Sequence, residues 1–302
     1  MLPPKLLYQL QMLKYRGHPP NTPSNVFIEV TNRCGYSCVM CPRTKMTRER
    51  GDMSVETFEQ VINQMVEAKI KKANLYLYGE PTLNRNLIEM IGYAKEKGIH
   101  TTIDITGFNL TDTYSRLLIG SGVDRIFFSI HGTTPETYLA AHGVNGFEKV
   151  KTNLEHLIGL KKEMLSSTPT VTVQCTYMET NKDVYKNIQT VFGDEIDYRF
   201  TTCTFNPHTN TNDLRVDKSE YTRSIPCTEI YTSLAVSWNG DITVCCNDVN
   251  FELILGNIFT DTLKSAFNSP KLQLLRDTLK ACKNIPILCK GCIDPITSSK
   301  RR

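Results

Sequence analysis

At 302 residues the chain is one large domain or two of ordinary size, long enough to bury roughly 75% of its unfolded surface without disulfide staples. Its 35 basic and 31 acidic residues leave a formal charge of only +4, which gives no electrostatic argument for a nucleic-acid partner. No apolar run reaches the roughly 18 residues of a membrane span, the amino terminus lacks the layout of a secretory signal, and eleven cysteines in such a chain point to metal or redox chemistry in the reducing cytoplasm.

Residues 5–16 carry Leu6, Leu7, Leu10 and Leu13 at helical spacing beside Lys5, Lys14 and Arg16. That pattern predicts a helix packed on the outside of the fold, with an interfacial membrane helix as the rival reading. Pro19, Pro20 and Pro23 then break the chain, and the β-branched run Val26 to Thr31 reads as a first strand. It empties into a loop holding Cys34, Cys38 and Cys41, spaced C-x3-C-x2-C. Three thiols in eight residues make no sensible set of disulfides, whereas thiolates are standard iron–sulfur ligands and three of them leave one iron of a cubane open. The bland alternatives are incidental thiols or a zinc loop, but structural zinc wants four protein ligands.

Strand-like runs at 26–31, 73–78, 100–105, 124–130, 170–178 and 196–201 alternate with helical patterns at 54–68, 84–97, 111–121, 146–165 and 182–192. Ser54 is a credible helix start and Gly98 a credible stop. Such alternation predicts a parallel sheet with right-handed crossovers, its chemistry at the carboxyl ends of the strands. Residues 204–226 are polar and turn-rich, a linker or substrate-facing loop. Beyond them, 234–238 and 241–245 flank Asn239-Gly240 as a β-hairpin, followed by Leu255-Gly256-Asn257-Ile258, a helical stretch at 260–281 and a closing C-x2-C. Cys227, Cys245, Cys246, Cys282, Cys289 and Cys292 crowd this last part, and on spacing alone it suits zinc or an iron–sulfur cluster.

The C-x3-C-x2-C loop after a first strand resembles the signature of the radical S-adenosylmethionine enzymes. The resemblance implies a partial (β/α)6 barrel, with a 4Fe–4S cluster on Cys34, Cys38 and Cys41. The open iron would chelate S-adenosylmethionine, and an external one-electron reductant of flavodoxin or ferredoxin type would drive reductive cleavage to a 5′-deoxyadenosyl radical. Where the family usually has an aromatic residue before the third cysteine, this chain has Met40. Cys227, Gly240, Cys245, Leu-Gly-Asn-Ile and the final C-x2-C resemble a shortened, twitch-like SPASM region. This implies one auxiliary 4Fe–4S cluster on Cys227, Cys245, Cys289 and Cys292, with Cys282 the stand-in for Cys227. The expected division is a helix and linker at 1–22, the barrel at 23–205, a linker or substrate loop at 206–226 and a small cysteine-rich auxiliary-cluster domain with the hairpin at 227–302.

The same resemblance implies that Gly79 and Glu80, in Tyr78-Gly79-Glu80-Pro81, meet the cofactor's amino group. It implies further that Thr106 contacts the adenosyl part and that Ser129 contacts the ribose. His142 stands where relatives often place an arginine for the cofactor carboxylate. His131, where relatives often show aspartate, is an acid–base group or, the favoured reading, a hydrogen-bonded substitute. Gln174 faces inward on its strand by alternation and lines the pocket. Cys246, next to a presumed ligand, is expected on the opposite strand face, as a small buried hydrophobe or as a hydrogen-atom donor. Cys175 and Cys203 read as core.

In plan the chain is similar to the dehydrogenases and epimerases of aminoglycoside biosynthesis, which implies dehydrogenation or epimerisation at an alcohol carbon of a small sugar or cyclitol. The rivals are radical modification of a peptide or maturation of a partner enzyme, and a cluster- and zinc-binding scaffold without turnover. Only about two dozen residues precede the barrel, so no peptide-recognition domain is expected there, which weighs against the first rival unless a separate recognition protein supplies one.

Overall fold

The computed structural model describes residues 20–203, 214, 227–281, 283–290 and 292. The helix predicted at 5–16, Cys282 and most of the 206–226 loop lie outside the described residues. Six parallel strands form the barrel half: β1 (Asn25–Ile28), β2 (Lys72–Asn74), β3 (His100–Ile105), β4 (Arg125–Ser129), β5 (Thr170–Tyr177) and β6 (Asp197–Thr202). Between them run α1 (Val55–Glu67), α2 (Leu87–Glu96), α3 (Asp112–Gly120), α4 (Pro135–His142), α5 (Phe147–Glu163) and α6 (Val184–Phe192). The sheet alternates as a half-buried surface should. Val26, Ile28, Ala73, Ile103, Ile105, Ile126, Phe128, Val173 and Cys175 all belong to the main core, while Asp104, Ser129 and Gln174 lie on the opposite, polar face.

The carboxyl-terminal hairpin does not stand apart. Its strands β7 (Ser233–Val236) and β8 (Asp241–Thr243), with β9 (Gly256–Asn257), extend one continuous sheet of order β6-β5-β4-β3-β2-β1-β7-β8-β9. Strand β7 pairs in parallel with β1, Asn25 opposite Ser233 through Ile28 opposite Val236, so the second cysteine region is seated next to the first. Buried polar contacts fasten it there. Arg48 makes a two-pronged ion pair with the fully buried Glu29 at 2.9 and 2.7 Å and donates from Nε to the Val249 carbonyl at 2.8 Å. The Gln64 amide on α1 donates to the Ile258 carbonyl at 2.9 Å and accepts from the Leu263 N–H at 2.8 Å.

Several boundaries differ from the sequence reading. Strand β2 ends at Asn74 because Leu75 makes a last bond to the Thr102 carbonyl and the chain then turns toward the cysteine loop. Helix α4 carries no apolar stripe, its buried residues being Tyr138, Ala141 and His142; its signal is the capping residue Thr134 followed by Pro135. The 260–281 stretch is two helices, α8 (Leu263–Phe267) and α9 (Pro270–Ala281), parted where Pro270 cannot continue the first; the four-residue α7 is Glu229–Thr232 and α10 is Ile287–Lys290. Strand β8 stops before Cys245, so Cys245 and Cys246 lie in a turn and the strand-face argument separating them does not apply.

Candidate cluster and cofactor site

The first cysteine loop is closed at its neck. Thr31 Oγ1 donates to Asp52 Oδ1 at 2.6 Å, Asn32 Nδ2 donates to the Glu49 carbonyl at 2.9 Å, and the Gly51 N–H donates back to Asn32 Oδ1 at 2.9 Å. Gly79 packs against this neck so closely that a Cβ there would fall 2.0 Å from the Thr31 carbonyl oxygen, a contact only glycine permits. Next to it the Glu80 N–H bonds the Arg33 carbonyl at 2.8 Å. On the far side the loop is strapped to the end of α4, Ser37 N–H to the His142 carbonyl at 3.2 Å and Val39 N–H to Ala141 at 3.0 Å. Met40 packs beside Ala141, Met178 and Cys203.

Cys34, Cys38 and Cys41 are free thiols. Burial raises the pKa of all three; Cys34 and Cys38 are raised further by the charges of neighbouring cysteines, while Arg43 lowers all three. Among the described residues no three His, Cys, Asp or Glu side chains converge on a single ion. The donor set nevertheless fits an anionic cluster. Arg43 is 6% exposed, hydrogen-bonds the Tyr36 carbonyl through Nη2, and its Nη1 finds no partner. A buried guanidinium costs several kcal/mol unless an anion compensates it, and the three thiolates with their cluster supply one. Further donors reach the sulfurs, the Tyr36 N–H to Cys34 Sγ at 3.4 Å and the His142 ring across 3.4 Å from Cys38 Sγ.

Glu80 is 3% exposed, and both its oxygens accept hydrogen bonds, Oε1 from the Thr82 hydroxyl at 2.8 Å and Oε2 from the Thr106 N–H at 2.8 Å. Burial pushes its pKa up against those bonds. Thr106 thus meets Glu80 through its backbone, next to the loop neck. Ser129 and Gln174 converge on a residue the sequence reading passed over: Ser129 Oγ donates to Asp104 Oδ1 at 2.7 Å and Gln174 Nε2 to Oδ2 at 2.9 Å. Burial pushes the Asp104 carboxyl up to about 7, against the two hydrogen bonds and the nearby Arg199 charge. The inward alternation that flags Gln174 flags Asp104 equally.

His142 is fully buried and stacked on His131 and Tyr138. His131 is itself buried, its Nδ1 accepting from the Thr176 N–H at 3.1 Å, and burial lowers its pKa to about 4.

The second cysteine region draws on distant segments. Cys227 precedes α7, Cys245 and Cys246 follow β8, Cys289 lies in α10 and Cys292 just beyond it. The Cys245 thiol is raised by burial and by the fields of Cys246, Cys292 and Cys227, so those four are neighbours. Asn247 donates its N–H to Cys245 Sγ at 3.3 Å and its side-chain amide to Cys292 Sγ at 3.6 Å. The turn is pinned by buried Asp248, whose carboxylate accepts from Glu252 and Leu253 N–H at 2.8 Å each and from the Thr243 hydroxyl. Tyr78 links the two regions: its hydroxyl donates to the Cys246 carbonyl at 2.6 Å, and the charges of Cys245, Cys246 and Cys41 all reach it. Tyr76 likewise feels both Asp104 and Cys246. Neither tyrosine, nor Arg43, nor Asp248 was singled out from sequence; Arg43 alone carried a local signal, a base directly after Cys41-Pro42.

A family model described as the radical SAM superfamily matches residues 28–178, and one described as an iron-sulfur cluster-binding domain, SPASM, matches residues 227–293. The tungsten-containing aldehyde ferredoxin oxidoreductase cofactor-modifying protein of Pyrococcus furiosus is 25% identical over 159 residues, 52% of this chain and 44% of that protein. The chain spans less than half the length of the first curated relatives it matches, 44%, 41% and 44%. Among solved structures, BtrN in complex with AdoMet and 2-DOIA superposes with a TM-score of 0.59 over 92% of this chain and 98% of that one, at 18% identity. SuiB of Streptococcus suis bound to precursor peptide SuiA gives 0.69 over 89% and 70%, at 14% identity. At such identities the likeness is one of fold. The family models together imply a 4Fe–4S cluster, S-adenosylmethionine binding and auxiliary cluster binding. No helix among the described residues is long and apolar enough to cross a membrane.

Proposed function

The chain belongs to the radical SAM superfamily, and from that premise we propose that it dehydrogenates an alcohol carbon of a small sugar or cyclitol, with epimerisation of that carbon as the neighbouring outcome. Cys34, Cys38 and Cys41 hold the first cluster, and Cys227, Cys245, Cys289 and Cys292 the auxiliary one. Bound, these groups would supply the one-electron reduction and hydrogen-atom abstraction that S-adenosylmethionine chemistry provides, and a sink for the electron the substrate gives up. Gly79 and Glu80 bind the methionine part, with Thr106 fixing Glu80. Asp104 takes the proton of the substrate hydroxyl, so that the carbinol carbon loses one hydrogen atom, one proton and one electron and becomes a carbonyl.

The single observation that supports this reading is Asp104: a buried carboxylate at the carboxyl end of β3, held by Ser129 and Gln174 and poised near neutrality, where a general base works best. Carbinol-deuterated inositols and aminocyclitols, offered to anaerobically reconstituted protein with dithionite, test it: transfer of deuterium to 5′-deoxyadenosine with ketone formation is expected, and no transfer from any of them sinks the proposal. Cys246, whose charge reaches Tyr76 alongside that of Asp104, returns a hydrogen atom in the epimerase outcome; normal inversion by Cys246→Ala ends that role.

The second reading, radical modification of a peptide, draws on the fold shared with SuiB, which was solved with its precursor peptide. A reducing cytoplasm and a flavodoxin- or ferredoxin-like reductant suit either reading.

A further inference from the structure

His142 sits at the last turn of α4, with both ring nitrogens committed. Its Nε2 accepts the backbone N–H of His131 at 3.1 Å. A neutral imidazole that accepts at one nitrogen carries its proton on the other, so Nδ1 is the donor, and it lies 3.4 Å from Cys38 Sγ. The ring is held in that pose. It is stacked on His131 at 4.7 Å and 4° and on Tyr138 at 4.1 Å and 21°, with the Tyr36 ring edge-on at 5.6 Å. No atom of the residue is open to an anionic ligand. Because Nε2 accepts from the His131 N–H, the ring is neutral, although its place at a helix carboxyl end favours a cation.

We infer that His142 is a positioning residue of the first cluster, its Nδ1–H locked onto the Cys38 sulfur to orient that ligand and to raise the potential at which the cluster takes up an electron. The inference rests on Cys38 being a ligand. A donor aimed at a sulfur stabilises negative charge there, and the reduced cluster carries one more negative charge than the oxidised one. Losing the donor therefore penalises the reduced state more. This role replaces the cofactor-carboxylate contact expected of His142.

The test is a redox titration of reconstituted holoprotein followed by electron paramagnetic resonance, the first cluster identified as the one whose signal responds to added S-adenosylmethionine. In His142→Phe, which keeps an aromatic ring but no donor, the reduced-to-oxidised ratio at a fixed potential should fall about tenfold, or about 59 mV for one electron. His142→Asn, which places an amide nitrogen where Nδ1 was, should return within about threefold of the unmodified protein. Full iron content with an unchanged potential in the phenylalanine variant overturns the inference. If that variant loses its iron, the asparagine variant decides alone: near-native potential supports the role, and a tenfold fall overturns it. A Cys38→Ala protein that keeps its full iron and the responsive signal removes the ligand reading itself, whereas loss of that signal with an unshifted His142→Phe defeats only the role of His142.

Discussion

The two cysteine regions bind the same kind of cofactor by opposite constructions. The first gathers three thiols from eight consecutive residues, on a loop closed at its neck by Thr31, Asn32, Gly51 and Asp52. A buried cation, Arg43, and an imidazole N–H supplement the backbone donor at its sulfurs. The second collects Cys227, Cys245 and Cys292 from segments up to 65 residues apart, and Asn247 gives two of its sulfurs an N–H each. A local loop can be preformed by its own hydrogen bonds; a distributed one exists only once the hairpin has joined the sheet against β1. The charge balance differs too. A positive charge buried beside thiolates favours the reduced, more negative cluster, as suits a site that takes up electrons at low potential.

Removing a ligand should break the comparison most sharply. Of the roughly eight irons expected for two four-iron clusters, Cys38→Ala should lose about four and fall to background in S-adenosylmethionine cleavage. Cys245→Ala should lose the other four yet still cleave it with dithionite. Four irons and one tightly held zinc by elemental analysis would falsify the auxiliary cluster. Next in size is the fastening between the regions. Arg48→Met leaves the Glu29 carboxylate buried and unpaired and should cost about 3 kcal/mol in urea unfolding; a midpoint like that of the unmodified protein would show that the sheet alone holds them together.

Asp104, whose field reaches Tyr76 alongside that of Cys246, gives a pH signature. Its folded pKa, about 7, is above the ordinary 3.8, so the fold binds this proton more tightly than the unfolded chain does. Its stabilising contribution is present below pH 3.8 and is lost as pH rises through about 7. As a proton acceptor it works above that value. Turnover should therefore climb tenfold per pH unit below about 7 and level off above it, and Asp104→Asn should abolish turnover while keeping both clusters and S-adenosylmethionine cleavage. The smallest effect sharpens the charge contrast. Arg43→Met should stabilise the metal-free chain by about 1 kcal/mol by removing an uncompensated buried charge while weakening iron retention in the loaded one. Calorimetry with and without iron reads the two signs, and a loss of stability in both states would reject the role.

Much of this was legible in order along the chain. Six strands, five of the six barrel helices and the first cysteine trio follow from periodicity, capping and spacing, because each is decided by neighbours within a few residues. Helix α4 was not, since its buried face mixes a tyrosine with a histidine and lacks an apolar stripe. Asp104 was visible in principle by the alternation that marked Gln174, but its importance comes from Ser129 and Gln174 meeting it on two other strands. By itself the sequence determined the presence of a thiolate loop after a first strand, the parallel alternation that carries it and a second cysteine-rich region. Only the tertiary structure decided that β7 would seat that second region against β1, that the Arg43 guanidinium would be buried with one nitrogen unpaired, and that the His142 ring would lie against the Cys38 sulfur. Those outcomes depend on contacts between residues far apart in the chain, where burial and the geometry of packed elements, not local propensity, set which polar groups meet.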